Sequence, residues 1–100
     1  MTRVHWTPQA SNDLDAIYEF VSRDSPRYAA VLVARLIIAA DRLEQFIESG
    51  RVVPEVANPT IRELIRGAYR IVYRVREGHA EILTVHHAAR PLPRDLPVPG

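Results

Sequence analysis

The segment from Thr60 to Arg90, TIRELIRGAYRIVYRVREGHAEILTVHHAAR, constrains the fold most. It reads as three short strands in succession. Glu77-Gly78 separates two of the strand-like runs, a glycine-containing pair of the kind that closes a hairpin. Ile61 to Arg66 forms an earlier run that ends at Gly67-Ala68, which also suits a reversal. In the middle run Tyr69, Ile71, Tyr73 and Val75 alternate with Arg70, Val72, Arg74 and Arg76, so one face is apolar and the other carries guanidinium groups. The segment holds six arginines against three acids. An arginine-studded sheet face suits an anion or an acidic partner.

What precedes this segment supplies the cover for its apolar face. Arg3 to Trp6 is a short strand. Thr7-Pro8 then offers a hydroxyl cap followed by proline at the first helical position, and Ser25-Pro26 repeats the signal. Ala10, Leu14, Ile17, Tyr18 and Val21 recur at helical spacing in the first helix. The second is expected to run to about Glu48 and to stop at Gly50 in a left-handed C′ position. It carries more apolar residues than one buried stripe needs, with Leu36, Ile37 and Ile38 consecutive. Either the sheet and first helix wrap it closely, or part of it is covered by another chain. Trp6 and Tyr18 read as packing residues. Arg51 to Pro59, interrupted by Pro54 and Pro59, reads as a connector without regular structure.

The expected order is β-α-α-β-β-β, an α+β fold. A helical hairpin packs on one face of a small antiparallel sheet, and the other face stays open and basic. Residues 1–90 form one domain, and 91–100, with four of the chain's eight prolines, form an extended tail.

Composition narrows the chemistry. There is no cysteine, which removes disulfide scaffolds and thiolate metal sites, and every basic residue is arginine. His5 and His79 have no metal-ligand spacing with His86-His87, so no metal or other cofactor is expected. No run approaches a membrane span, and the N-terminus lacks the apolar core of a signal peptide, so a cytoplasmic location is expected. Charge is uneven: residues 1–50 hold five arginines and seven acids, residues 51–100 eight arginines and five.

Several motifs, in order, carry a resemblance. They are W-T-P-x-A-x-x-D-L at Trp6 to Leu14, G-R-x-V-P-E at Gly50 to Glu55, I-R-E-L at Ile61 to Leu64, Y-R-I-V-Y-R-V at Tyr69 to Val75, and I-x-x-V-x-H-x-x-R ending at Arg90. The chain resembles the RelE/ParE family of toxins from type II toxin–antitoxin modules, over nearly its whole length to about Pro91. The resemblance implies one of two activities. RelE-like members cleave mRNA on the ribosome without a metal. ParE-like members poison DNA gyrase and are not enzymes.

RelE-like cleavage needs a base, an acid and cations around the phosphorane formed when a 2′-hydroxyl attacks. Of the residues the RelE pattern uses, Arg70 and Arg90 carry over. The lysines of the first sheet strand do not, although Arg62 supplies a cation there, and the C-terminal tyrosine is missing. His86 and His87 are the remaining titratable candidates. The basic face comprises Arg62, Arg70, Arg74, Arg76 and Arg90, with Arg74 and Arg76 able to pair with Glu63 and Glu81. These departures favour a ParE-like gyrase inhibitor, with no catalytic residue. A RelE-like endoribonuclease is the alternative, and a non-toxic interaction module the second. The resemblance also implies a cognate antitoxin bound in a hetero-oligomer, and the apolar surplus at Leu36, Ile37 and Ile38 leads us to expect its segment along the helical hairpin, with a helix or strand added beside the sheet.

Overall fold

The computed structural model describes residues 2–93 and 96. Its elements are β1 (Arg3–Trp6), α1 (Pro8–Ser22), α2 (Pro26–Asp41), a 3₁₀ turn (Arg42–Glu44), β2 (Arg51–Val52), β3 (Ile61–Arg66), β4 (Tyr69–Arg76) and β5 (His79–His87).

Both helices start where the hydroxyl–proline pairs stand. Thr7 Oγ1 accepts the Ala10 N–H at 3.3 Å and donates to the Ile82 carbonyl at 2.6 Å, so one buried hydroxyl caps α1 and ties it to β5. Ser25 Oγ accepts the Tyr28 N–H at 3.1 Å.

The strands form one sheet in the order β1-β5-β4-β3-β2. It is mixed rather than antiparallel, because β1 runs parallel to β5, Arg3 opposite His79 and Trp6 opposite Ile82. The chain leaves β1 through the helical hairpin and returns only at its far end, a crossover that permits a parallel neighbour. Where β1 stops, α1 takes over the edge of β5, as Asp13 accepts the Thr84 hydroxyl and the Val85 N–H. Both hairpins close with two residues. Gly67 has φ 57°, and Glu77-Gly78 has φ 20° and 74°. Positive φ at the first central residue alone and at both are the two arrangements that match strand twist.

Leu14, Leu36, Leu43, Ile71, Tyr73 and Ile82 form the centre of the main core, between the helices and the sheet. Leu36 is therefore a core residue with no exposed surface, not part of an antitoxin-binding face. Alanines at 10, 29, 39 and 40, all buried, let the helices approach closely.

Two further expectations are corrected on the way to β2. Helix α2 ends at Asp41 rather than near Glu48, and the chain tightens through the 3₁₀ turn with Leu43 fully buried. Apolar spacing continued past this point because Leu43 and Ile47 still face the core. Gly50 is not a left-handed cap either, since its φ is not positive. It is required by close approach: a Cβ there would lie 2.6 Å from both the Glu63 carbonyl oxygen and the Tyr73 hydroxyl. That hydroxyl donates to the Ile47 carbonyl at 2.8 Å and accepts the Gly50 N–H at 3.0 Å. The connector then contributes β2, which pairs with β3.

Candidate functional site: a helical groove and a divided sheet face

The sheet face away from the helices is not open. Val53, Ile61, Val72, Leu83 and Leu92 form a second apolar cluster there. Leu83 joins it because the β4–β5 register shifts between Val72 and Tyr73. Leu92 brings the start of the tail onto this face, and Pro91–Pro93 has neither helix nor strand. Residues 94, 95 and 97–100 of the expected tail lie outside the described residues.

Arg70 lies beside this cluster and is 6% exposed. Its Nε donates to Glu63 Oε1 at 2.6 Å, and its two Nη groups donate to the Glu55 carboxylate at 2.8 and 2.9 Å. Glu63, with a fully buried side chain, uses its other oxygen for Arg51 Nε at 2.6 Å. Two arginines thus meet two carboxylates. The forked hydrogen bonds from Arg70 hold the Glu55 carboxyl down at about 2. Reciprocally, the Glu55 carboxylate holds the Arg70 guanidinium still more firmly protonated. Arg70 is buried and paired with two carboxylates, so its place on an open basic face is corrected.

The other sequence candidates divide between locations. Arg62 stands opposite Tyr73 and so lies on the helix side of the sheet, away from Arg70 and Arg74. Its Nη1 donates to the Gly50 carbonyl at 2.9 Å, while its Nε is buried without a partner among the described residues. Arg74 pairs with Glu81 at 2.8 Å and Arg76 stands 3.9 Å from the same carboxylate, while Glu63 serves Arg51 and Arg70 instead. His86, His87 and Arg90 do come together. With Asp13, Phe20 and Tyr69 they line a depression of about 260 Å³ at the end of β5. His86 Nε2 lies 3.1 Å from the Pro91 carbonyl, and His87 meets the Tyr69 ring edge-on at 5.4 Å.

A groove lies between the helices. It holds about 680 Å³, with Trp6, Leu14, Tyr18, Val33 and Ile37 as its apolar lining and Ser11, Asp15, Glu19 and Ser22 along its α1 rim. Ile37 belongs to this groove, whereas Ile38 is 60% exposed outside its lining. Tyr18 is 43% exposed and lines the groove instead of filling the core, and Trp6, half-buried, reaches both. Positions 11, 15, 18, 19 and 22 mark this face of α1 in the sequence by their i, i+3, i+4 spacing.

Among the described residues no helix is long and apolar enough to cross a membrane, and no cluster of His, Asp or Glu is placed to hold a metal ion.

Comparison with known proteins agrees with the fold. Toxin RelE2 of Caulobacter vibrioides is 40% identical over 91 residues, spanning 90% of this chain and 99% of the relative. A relative from Sinorhizobium fredii is 40% identical over 96 residues, 94% of this chain and 96% of its own length. A solved chain from the chromosomal ParDE toxin–antitoxin system of P. aeruginosa superposes with a TM-score of 0.72 at 29% identity, covering 87% of this chain and 96% of that one. The model of the family described as ParE toxin of the type II toxin–antitoxin system parDE matches residues 4–92. The chain therefore belongs to the ParE toxin family of type II toxin–antitoxin systems.

Proposed function

We propose that this toxin acts as a ParE-like poison of DNA gyrase in the cytoplasm, and that a cognate antitoxin silences it by laying a segment in the groove between α1 and α2. The observation that carries the first part is the pairing of the buried Arg70 with two carboxylates. A nuclease would need that guanidinium for the phosphorane, yet three of its nitrogens are already spent on Glu63 and Glu55. Arg62, the other strand cation, faces the helices. The sequence has no lysine to replace them. Gyrase poisoning asks only for a binding surface.

The antitoxin reading rests on the groove itself. Its apolar floor and polar rim match an amphipathic segment that orders on binding. A RelE-like reading keeps one supporting feature, the depression that gathers His86, His87 and Arg90, side chains able to move a proton and neutralise a phosphate.

The test is a supercoiling assay with purified chain and gyrase, scoring cleaved DNA after protein removal. Accumulated double-strand breaks are expected. Intact supercoiling together with ribosome-dependent mRNA cleavage would overturn the gyrase reading and turn attention to the histidine depression.

A further inference from the structure

The outward side of α2 carries an apolar stripe with a charge at either end. Buried Ala29, Leu36 and Ala40 fix the inward side of the helix. At about 100° per residue, Arg27, Val31, Ala34, Ile38 and Asp41 then lie along the opposite side. All five are exposed, Val31 by 40% and Ile38 by 60%. None of them lines the groove between α1 and α2, so the stripe is a separate surface. Tyr28, Arg35 and Arg42 flank it on the side away from the groove.

The two charges are reversed with respect to the helix. Arg27 is in the first turn of α2, where the dipole favours an acid, and Asp41 is its last residue, where the dipole favours a base. Among the described residues neither has an ion-pair partner, since the ion pairs join other side chains.

Such a helix is its own complement. Arg27 and Asp41 stand seven residues before and after Ala34, about 10 Å each way along the axis. A second copy laid antiparallel, with a two-fold axis beside Ala34, brings Arg27 of each copy to Asp41 of the other and Val31 to Ile38. Ala34, the smallest of the five, lies at the crossing and lets the helix axes approach to about 8 Å. Both reversed charges are then compensated, and the opposed helix dipoles add to the attraction. A parallel pair would set Arg27 on Arg27 and Asp41 on Asp41, so charge selects the antiparallel one. Arg35 comes near its own copy at the rim, where salt and water screen the like charges.

We propose that the toxin associates with a second copy of itself through this face of α2, as a weak, antiparallel, two-fold dimer. The inference goes beyond the gyrase and antitoxin readings and depends on neither. The 16 residues of α2 give a seam of about 24 Å. That buries less than the roughly 1,200 Å² in total of a stable interface, so the Kd is on the order of 10–100 μM.

Sedimentation velocity of the purified chain, from about 5 to about 500 μM, is the test. A concentration-dependent shift from monomer to dimer is expected. Arg27→Asp and Asp41→Arg each turn two attractions into two repulsions, and each should weaken the dimer by more than about tenfold. Mixing these two variants should restore it, because each supplies the charge that the other lacks. Ile38→Glu should abolish it, whereas Arg66→Asp, an equal charge reversal on β3, should change nothing. Circular dichroism checks that each variant is folded. Equal weakening by Arg66→Asp, or a mixture of the two charge variants that fails to associate, would overturn the proposal. So would a parent chain that stays monomeric, and antitoxin binding weakened by Ile38→Glu would then give the stripe to the antitoxin.

Discussion

Arg70→Ala is the substitution most open to misreading, because it changes a motif position and should relieve toxicity for a reason unrelated to chemistry. The structure sets the magnitude. Removing the guanidinium leaves Glu63, whose side chain has no exposed surface, with Arg51 as its remaining ion partner. Arg51 is 63% exposed and compensates weakly. Breaking a buried pair from one side costs about 3–5 kcal/mol. A chain of this size holds on the order of 5–15 kcal/mol in total. At roughly 4–8 °C per kcal/mol, the melting temperature should fall by on the order of 20 °C.

The companion variant separates structure from function. Glu63→Leu/Arg70→Met removes both buried charges beside Val53, Ile61, Val72 and Leu83. Apolar replacement of a buried pair is often neutral or stabilising, so it should melt within about 1 kcal/mol of the parent. Glu55 and Arg51 are exposed enough to turn to water. Thermal denaturation followed by circular dichroism gives the double-mutant cycle, and growth arrest on induction gives the function. The expected result is an unstable, weakly toxic single variant and a stable, toxic double one. A stable double variant without toxicity would refute the structural assignment and return Arg70 to the functional surface.

Further expectations follow from the same geometry. Gly50→Ala inserts a Cβ 2.6 Å from the Tyr73 hydroxyl and the Glu63 carbonyl, and should cost about 1–3 kcal/mol in denaturant unfolding. Tyr73→Phe keeps the buried ring but strips the Gly50 N–H and Ile47 carbonyl of their partner, for about 1–3 kcal/mol, with faster hydrogen exchange at Gly50 as its local signature. The depressed Glu55 carboxyl contributes stability that is complete above its ordinary value of 4.5 and lost as pH falls toward about 2. With a side chain 42% exposed, that contribution is discounted to about 1 kcal/mol, so Glu55→Gln should melt below the parent near neutrality and converge with it in acid. Ile37→Glu puts a charge into the apolar lining of the helical groove and should weaken antitoxin binding by at least about tenfold without unfolding the toxin, as titration calorimetry would report.

The elements visible in the sequence are those written in local chemistry. Thr7-Pro8 and Ser25-Pro26 start the helices, Gly67 and Glu77-Gly78 turn the hairpins, and alternation assigns the sides of β4. What escaped is non-local. The parallel partner of β1 depends on a strand about 75 residues away, and nothing in Arg3 to Trp6 specifies it. Strand β2 is two residues long and exists because β3 offers it a neighbour. The face of Arg62 is likewise set by register. Arg62 stands opposite Tyr73, an odd number of residues from Arg70, Arg74 and Arg76, and so takes the other side.

Arg70 shows the same limit in the site. The sequence displays I-R-E-L, Y-R and P-E separately, and each acid is a plausible partner for several arginines. Which pairs form is decided when the connector folds Glu55 back over β4 and when Glu63 stands opposite Val72, one row from Arg70. Once that closure is made, three donors of the guanidinium are spent and the middle of the outer face becomes framework. Concave surfaces remain at its margins, among them the groove lined by Tyr18 and Ile37 and the depression at His86, His87 and Arg90. Under the proposed function, this rigid centre leaves one rim for the antitoxin along the helices and another for the target. Substitutions at the rims should therefore change partners at little cost in stability, and substitutions at Glu63 or Arg70 should do the reverse.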